Sequence, residues 1–199
     1  SSHGATPQKG VDAIVVQANI ILALQTLISR ETSPLDSAII TFGTIKGGTA
    51  HNIIADTVEL HGTLRTLTKE TRAKLHESIV RVCTNTAAAL GASVDVKIVV
   101  GTPPLICEDE WVDRAVRAGK RLVGEENVVM LPEPGMGGED FAFIKERCPG
   151  VFVRIGCRTV GGPFGQSHSP QFYCDPLSLK NGIAMLCGIA LDYFEAPYR

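Results

Sequence analysis

The sequence predicts an α/β protein in which a ferredoxin-like first domain, residues 1–101, precedes a second α/β portion, residues 102–199. Segments with helical periodicity alternate along the chain with segments in which apolar and polar residues alternate one by one. A linker rich in glycine and proline, residues 101–104, separates two stretches with different patterns. These two observations carry the prediction of fold class and of domain boundary.

The first domain follows the order β-α-β-β-α-β if one strand is placed just before residue 1. Apolar residues recur at helical spacing over residues 11–29, and Ser33-Pro34 ends that helix because the residue before a proline avoids the helical region. This order is the split β-α-β arrangement, a sheet covered by two helices on one face. The remaining patterns predict strands over residues 37–45, 57–65 and 93–100, and a helix over residues 69–90 between Thr68 as N-cap and Gly91.

The second portion contains too few strands for a sheet of its own, because unpaired edges would remain. We therefore expect further chain to complete it. The chain also begins inside a motif, at Ser2-His3-Gly4, and has no initiator Met, which is typical of a fragment. The patterns predict helices over residues 108–123, 139–146 and 177–194, and short strands over residues 128–131 and 151–155.

Composition excludes several classes of partner. A net charge of -2 provides no electrostatic attraction for nucleic acid or an anionic membrane. No apolar run approaches the roughly 20 residues that span a bilayer. The 6 cysteines form no CxxC pair and are expected to be reduced, buried thiols of a cytoplasmic protein, with an occasional disulfide or reactive thiol as the alternative.

Two loop segments in the second portion carry candidate functional residues. His168 lies between a predicted strand and a predicted helix, where α/β folds bind ligands, and is a candidate metal ligand or general acid/base. Taken alone, a loop histidine is more often a solvated polar residue. Glu139 and Asp140 follow Gly137-Gly138 at a predicted helix start, where acidic residues also favour the helix dipole and Asp140 is a candidate cap.

The first domain offers a second set of candidates. His3 precedes the first helix, Asn52 follows a glycine break, and Arg65 ends a strand. Arginine presents a planar fork suited to a carboxylate, so Asn52 and Arg65 together could hold one, although an arginine at a strand end is common. Spacing alone indicates an α/β hydrolytic or binding protein.

Four ordered motifs together resemble the dinuclear zinc aminoacylase/carboxypeptidase family. The closest resemblance is to its amidohydrolase branch, which includes N-acyl-amino-acid amidohydrolases, hippurate hydrolases and auxin-conjugate hydrolases. The resemblance spans the whole chain and corresponds to the C-terminal half of a family member. The motifs are Ser2-His3-Gly4-Ala5 with Gly10-Val11-Asp12, residues 47–60 with Gly62-Thr63-Leu64-Arg65, Gly138-Glu139-Asp140-Phe141-Ala142, and His168-Ser169-Pro170.

The resemblance implies a role for each candidate residue. His168 matches a metal-ligand histidine, and His3 matches a lid histidine that polarises the scissile carbonyl, in dimers often at the partner's site. Asn52 and Arg65 match residues that bind the substrate's carboxylate, and Glu139 lies in a loop that contacts substrate. Residues 1–101 then correspond to a lid or dimerisation domain, and residues 102–199 to the C-terminal part of a catalytic domain.

The family's chemistry implies a pair of divalent metals, zinc first, with manganese, cobalt or nickel as alternatives. The implied substrates are N-acyl amino acids or small peptides, and the implied assembly is a homodimer through the lid. The other metal ligands and the general base belong to the N-terminal half, so residues 1–199 alone are expected to be metal-free and inactive. Gln8 replaces a usual His, and Ala55 replaces a usual Pro. A non-catalytic ferredoxin-like dimerisation or ligand-binding module is the alternative.

Overall fold

The computed structural model describes residues 1–162 and 165–195, which form two compact units. The first unit comprises Ser1–Pro104 and Gly135–Gly138, and the second comprises Leu105–Pro134 and the residues from Glu139 onward. Helices and strands are both present, which confirms the α/β class. The first unit contains β1 (Ser2–His3), α1 (Ala13–Thr26), β2 (Ala38–Gly47), β3 (Ile53–Ile54), β4 (Val58–Thr66) and α2 (Lys69–Ala89).

Local signals in the sequence fix both helices of the first unit. The Asp12 carboxylate accepts hydrogen bonds from the amides of Ile14 and Val15, which begins α1. The helix continues as a π-helical turn, Leu27–Glu31. The Thr68 hydroxyl accepts a 3.1 Å bond from the Thr71 amide at the start of α2, and Gly91 (φ 74°) follows its end, as predicted.

One face of the β2–β4 hairpin packs against α1 and α2. The hairpin is antiparallel from the Ala38↔Thr66 pair to the Gly47↔Val58 pair. Alternate residues of β2 face the helices, so the hairpin and both helices enclose one core. The buried core residues are Val16, Ile20, Leu24, Leu27, Leu75, Cys83 and Ala87, with Ala38, Ile40, Phe42 and Leu64 packed against them.

The helical segment Ala13–Glu31 has 19 residues and a mean hydropathy of 1.5, so by length and composition it is apolar enough to cross a membrane. The sequence prediction that no segment reaches this length is wrong. Val16, Ile20, Leu24 and Leu27 nevertheless line the core of the first unit, which is the environment of a buried helix in a globular protein.

The register of the hairpin shifts between Phe42 and Thr44, across from Gly62. A Cβ at Gly62 would lie 2.5 Å from the carbonyl oxygen of Thr41 and 2.8 Å from Cδ1 of Phe42. No side chain fits in that space, so the irregular hairpin requires glycine at this position.

Three predicted strands do not form among the described residues: residues 93–100, 128–131 and 151–155 have no ladder partner. A strand exists only through hydrogen bonds to a neighbour. Residues 93–100 therefore have a strand-like sequence but no partner among the described residues. The ladder between β1 and β3 was not predicted.

The second unit contains two long helices that pack together. These are α3 (Asp109–Val123) and α5 (Ser178–Glu195), with the short α4 (Phe141–Lys145) between them in sequence. The buried contact between α3 and α5 consists of Ala115, Ala118, Met185 and Ile189.

A buried ion cluster joins α3 to α5. Asp192 is 4% exposed and bonds to Arg114 at 3.2 Å, Arg117 at 2.8 Å and Arg121 at 2.9 Å. Hydrogen bonds from Arg117 lead the causes that hold the pKa of the Asp192 carboxyl below its usual range. The Arg114 guanidinium also lies 5.4 Å from the centre of the Tyr193 ring.

The cysteines differ from the prediction. All six are free thiols, but Cys83 alone is buried, while Cys148, Cys174 and Cys187 are exposed. The prediction of buried thiols is therefore wrong for most of them. Periodicity in the sequence cannot distinguish a buried cysteine from an exposed one when the residue lies on a loop.

Candidate functional site

The β1–β3 ladder brings His3 beside Asn52. Ser2 pairs with Ile54 and His3 with Ile53, both antiparallel. The Gly4 amide donates a 2.8 Å bond to the Asn52 carbonyl. The opening motif and the second motif, distant in sequence, therefore meet at one end of the first unit.

The His3 ring is held so that one nitrogen faces outward. The Ala5 amide donates a 3.0 Å bond to Nδ1 of His3, so that nitrogen carries a lone pair. In the neutral ring, this assignment places the proton on Nε2. His3 is exposed, and its Nε2–H is thus a hydrogen-bond donor directed away from the backbone turn.

Arg65 and Asn52 are exposed polar side chains of the same unit. Arg65 lies on β4 opposite Ile39 of β2. Within residues 1–162 and 165–195, no carboxylate pairs with the Arg65 guanidinium. An exposed arginine without an acidic neighbour can accept the carboxylate of a ligand.

Gly138 is a further candidate site residue, to which the sequence motifs assign no role. A Cβ at this position would lie 3.1 Å from Nη1 of Arg65 and 3.2 Å from the hydroxyl oxygen of Thr102. The Thr102 carbonyl in turn accepts a 3.2 Å bond from Arg72. Because Gly138 has no side chain, the Arg65 guanidinium and the Thr102 hydroxyl both lie close to its backbone.

Glu139 lies in the second unit and caps α4. Its Oε1 accepts a 3.1 Å bond from the Phe141 amide, and its carbonyl accepts another from the Ala142 amide, also 3.1 Å. Asp140, the residue considered as a cap from the sequence, makes no side-chain capping bond. The carboxylate of Glu139 keeps a second oxygen available for another donor.

His168 lies at the tip of a tight loop. Its backbone is left-handed (φ 68°), and the turn around it is closed by bonds from the Ser169 amide to Gln166 and from the Phe172 amide to Ser169. A Cβ at Gly165 would lie 2.1 Å from the Gln171 carbonyl oxygen, so the two ends of the loop touch. The His168 side chain is exposed.

The candidate residues of the described chain provide one side chain suited to coordinate a metal ion. No cluster of three or more His, Cys, Asp or Glu side chains that could hold a metal occurs in the described parts of the chain. His168 fits a single ligand position, since it is an exposed imidazole on a loop whose backbone is fixed.

The α/β fold, together with the four motifs, is that of the metallohydrolase class that the sequence resembles. Residues 4–192 match peptidase family M20/M25/M40, and the chain belongs to that family. The predicted family resemblance is confirmed.

Three similar proteins illustrate the relationship. IAA-amino acid hydrolase ILR1-like 2 of Arabidopsis thaliana is 32% identical over 97% of this chain and 44% of its own length. N-acetyl-L-cysteine deacetylase of Bacillus subtilis is 39% identical over 78% of this chain and 36% of its own. The crystal structure of Bacillus subtilis YXEP protein, a dinuclear metal binding peptidase of the M20 family, aligns with a TM-score of 0.76 and 28% identity, over 98% of this chain and 48% of its own. The chain spans about half the length or less of these relatives.

Proposed function

We propose that the protein containing this chain hydrolyses the amide bond of N-acyl amino acids or small peptides in a metal-dependent reaction. The observation that carries the proposal is the outward Nε2–H donor of His3, fixed beside Asn52 by the β1–β3 ladder. Membership of the M20/M25/M40 family supports it, as do relatives named as an amino acid hydrolase and a deacetylase.

Each site residue has a proposed task in that reaction. His3 donates to the carbonyl oxygen as negative charge develops on it, which commonly contributes a few kcal/mol to transition-state stability. Asn52 and Arg65 hold the substrate's carboxylate, supported by the absence of an acidic partner for Arg65 in the described residues. Glu139 contacts the substrate with the oxygen that does not cap α4.

His168 is the proposed metal ligand of this chain. The metal pair, zinc in our proposal with manganese, cobalt or nickel as alternatives, supplies Lewis acidity and an activated water when bound. A catalytic zinc takes about three protein ligands, and the chain matches the family at one of them. We therefore propose that residues 1–199 alone do not retain the metal and are inactive; metal content and turnover of an N-acyl amino acid by the isolated chain test this, and robust turnover would contradict it.

We also propose a cytoplasmic homodimer that associates through the first unit, the lid. The outer side of β2 supports dimerisation, because Ile39 on that side is 44% exposed and β2 bonds only to β4 among the described residues. Six unpaired thiols support the location. Light scattering coupled to size exclusion tests the assembly, and a strict monomer at high concentration would refute it.

The test of the proposed function uses the intact protein with His168→Ala. We expect loss of bound metal and of hydrolysis of an N-acyl amino acid, because the ligand is removed. Gln166→Ala, an exposed neighbour in the same loop, is the matched control and should keep both. Unchanged metal content and activity in His168→Ala would instead support a non-catalytic module.

A further inference from the structure

Two cysteines lie at the base of the loop that carries His168. The Asp175 amide donates a 2.8 Å bond to the Cys157 carbonyl, and the Thr159 hydroxyl donates a 2.6 Å bond to the Asp175 carboxylate. These two bonds hold residues 157–159 against Asp175, the residue that follows Cys174. The loop between them is closed at its base by one backbone and one side-chain hydrogen bond.

Cys157 and Cys174 lie close together, because the Cys157 carbonyl accepts the bond from the amide of Asp175, the residue that follows Cys174. The hydrogen bond between the two thiols, followed by desolvation, raises the pKa of the Cys157 thiol. Cys174 is exposed and lies 3.4 Å from the Ser178 hydroxyl, whereas Cys157 is half-buried. A small reagent therefore reaches the exposed thiol of Cys174 more readily than the half-buried thiol of Cys157.

The remaining cysteines have no such neighbour. Cys83 is buried in the core of the first unit. The Cys107 sulfur accepts a 3.3 Å bond from the Phe152 amide, and the Cys148 thiol bonds to the Ile144 carbonyl at 3.3 Å. Cys187 is exposed on α5, and none of these four cysteines bonds to another thiol in the described residues.

We propose that Cys157 and Cys174 form a redox modification site, in which a low-molecular-weight disulfide such as glutathione disulfide converts the two thiols reversibly into an intramolecular disulfide. The 2.8 Å bond from the Asp175 amide to the Cys157 carbonyl keeps the two backbones close together, as a disulfide requires. The site stands on the thiol pair and its backbone contacts, so it does not depend on the proposed hydrolase activity.

The exchange balances without a further reactant. The Cys174 thiolate attacks one sulfur of glutathione disulfide, forms a mixed disulfide and releases one glutathione thiolate. The Cys157 thiolate then attacks Sγ of Cys174 and releases the second. One sulfur–sulfur bond breaks in the oxidant and one forms in the protein, two electrons pass to the oxidant, and the two thiol protons end on two glutathione molecules.

Oxidation would join the ends of the segment that contains His168 by a covalent bond. In the reduced protein, hydrogen bonds hold the base of the loop, and these open locally more readily than a disulfide does. In a reducing cytoplasm the pair would stay reduced, and it would close when glutathione becomes oxidised.

The test is peptide mapping of the 199-residue chain equilibrated with glutathione disulfide, alkylated and digested with trypsin without reduction. We expect residues 155–158 and residues 159–180 to be linked, with the loss of two of the 6 free thiols and full recovery after dithiothreitol. Cys157→Ser and Cys174→Ser should each abolish the linked peptide. Cys187→Ser, which removes an exposed thiol of α5, should preserve it.

The mapping on the unaltered chain does not depend on whether a variant folds. Glutathione attached to Cys174 without a link to Cys157 would overturn the proposal. Disulfides that involve Cys148 and Cys187 as often as Cys157 and Cys174 would overturn it as well. Such a result would mean that exposed thiols react in general and that no specific pair exists.

Discussion

The backbone amide of Gly4 donates a 2.8 Å hydrogen bond to the carbonyl oxygen of Asn52. The bond extends the β1–β3 ladder by one contact and places His3 and Asn52 at the same end of the first unit. The two side chains proposed to act on the carbonyl and the carboxylate of one substrate are therefore positioned by backbone pairing. Nε2 of His3 and the side-chain amide of Asn52 stay available for a ligand.

The first prediction concerns His3. In the intact protein, we expect His3→Ala to lower kcat by about 100-fold or more with a small change in KM, because removal of one oxyanion donor costs this much in comparable sites. His51→Ala, an exposed histidine next to Asn52, is the control and should leave steady-state kinetics unchanged. Equal kinetics for both variants would remove His3 from the mechanism.

The second prediction concerns the space beside Arg65. Gly138→Ala places a Cβ 3.1 Å from Nη1 of Arg65, and the flexible end of that side chain must shift. We expect KM to rise about tenfold, or ~1.4 kcal/mol of binding free energy, with kcat nearly constant. Gly137→Ala meets no described atom within 4 Å and should behave as the unaltered protein. A lower kcat at constant KM would argue against a role in carboxylate binding.

The third prediction tests how the His168 loop is closed. Gly165→Ala cannot keep its present backbone, because the Cβ would lie 2.1 Å from the Gln171 carbonyl oxygen. We expect faster hydrogen exchange of the Ser169 and Phe172 amides, whose bonds depend on that turn. Gly156→Ala, with no described atom within 4 Å, should leave their protection intact. Protected amides in Gly165→Ala would mean that the loop closes in another way.

The fourth prediction concerns Asp192 and acid stability. Because the pKa of its carboxyl is lowered in the folded state, the ion cluster stabilises the fold fully above the unfolded pKa of about 3.9, and this stability is lost as pH falls below that value. We expect Asp192→Asn to lower the free energy of unfolding by about 3 kcal/mol at pH 7, measured with urea, and to flatten the loss at low pH.

The control for Asp192 is Glu125→Gln. Glu125 pairs with Lys120, and its side chain is 78% exposed, so its removal should change stability by less than about 1 kcal/mol. Similar losses in both variants would show that charge in general, and not the buried cluster, stabilises α3 against α5.

The elements that could be predicted from the sequence are those that depend on local interactions. The caps at Thr68 and Gly91 and the periodicity of α2 are properties of neighbouring residues, and the structure confirms them. The hairpin of β2 and β4 was also predictable, because each strand has one face against the core.

The elements that could not be predicted depend on partners distant in sequence. Residues 93–100 alternate like a strand, but no described residue pairs with them. The ladder of β1 and β3 is too short for any periodicity, so the pairing of His3 with Ile53 and the bond from Gly4 to Asn52 had no signal in the sequence. The residues of the site were named from motifs, while their geometry, including the place of Gly138 beside Arg65, required the structure.

The close approach of Gly62 to Thr41 and Phe42 changes how the signature Gly62-Thr63-Leu64-Arg65 should be interpreted in other proteins. Its first position is demanded by the irregular pairing of the hairpin, and its last is the one proposed to meet a ligand. A homologue that keeps the glycine but loses the arginine would have inherited the scaffold without the anion-binding side chain. When a function is assigned from this motif, the arginine at its fourth position should therefore be considered separately from the glycine at its first.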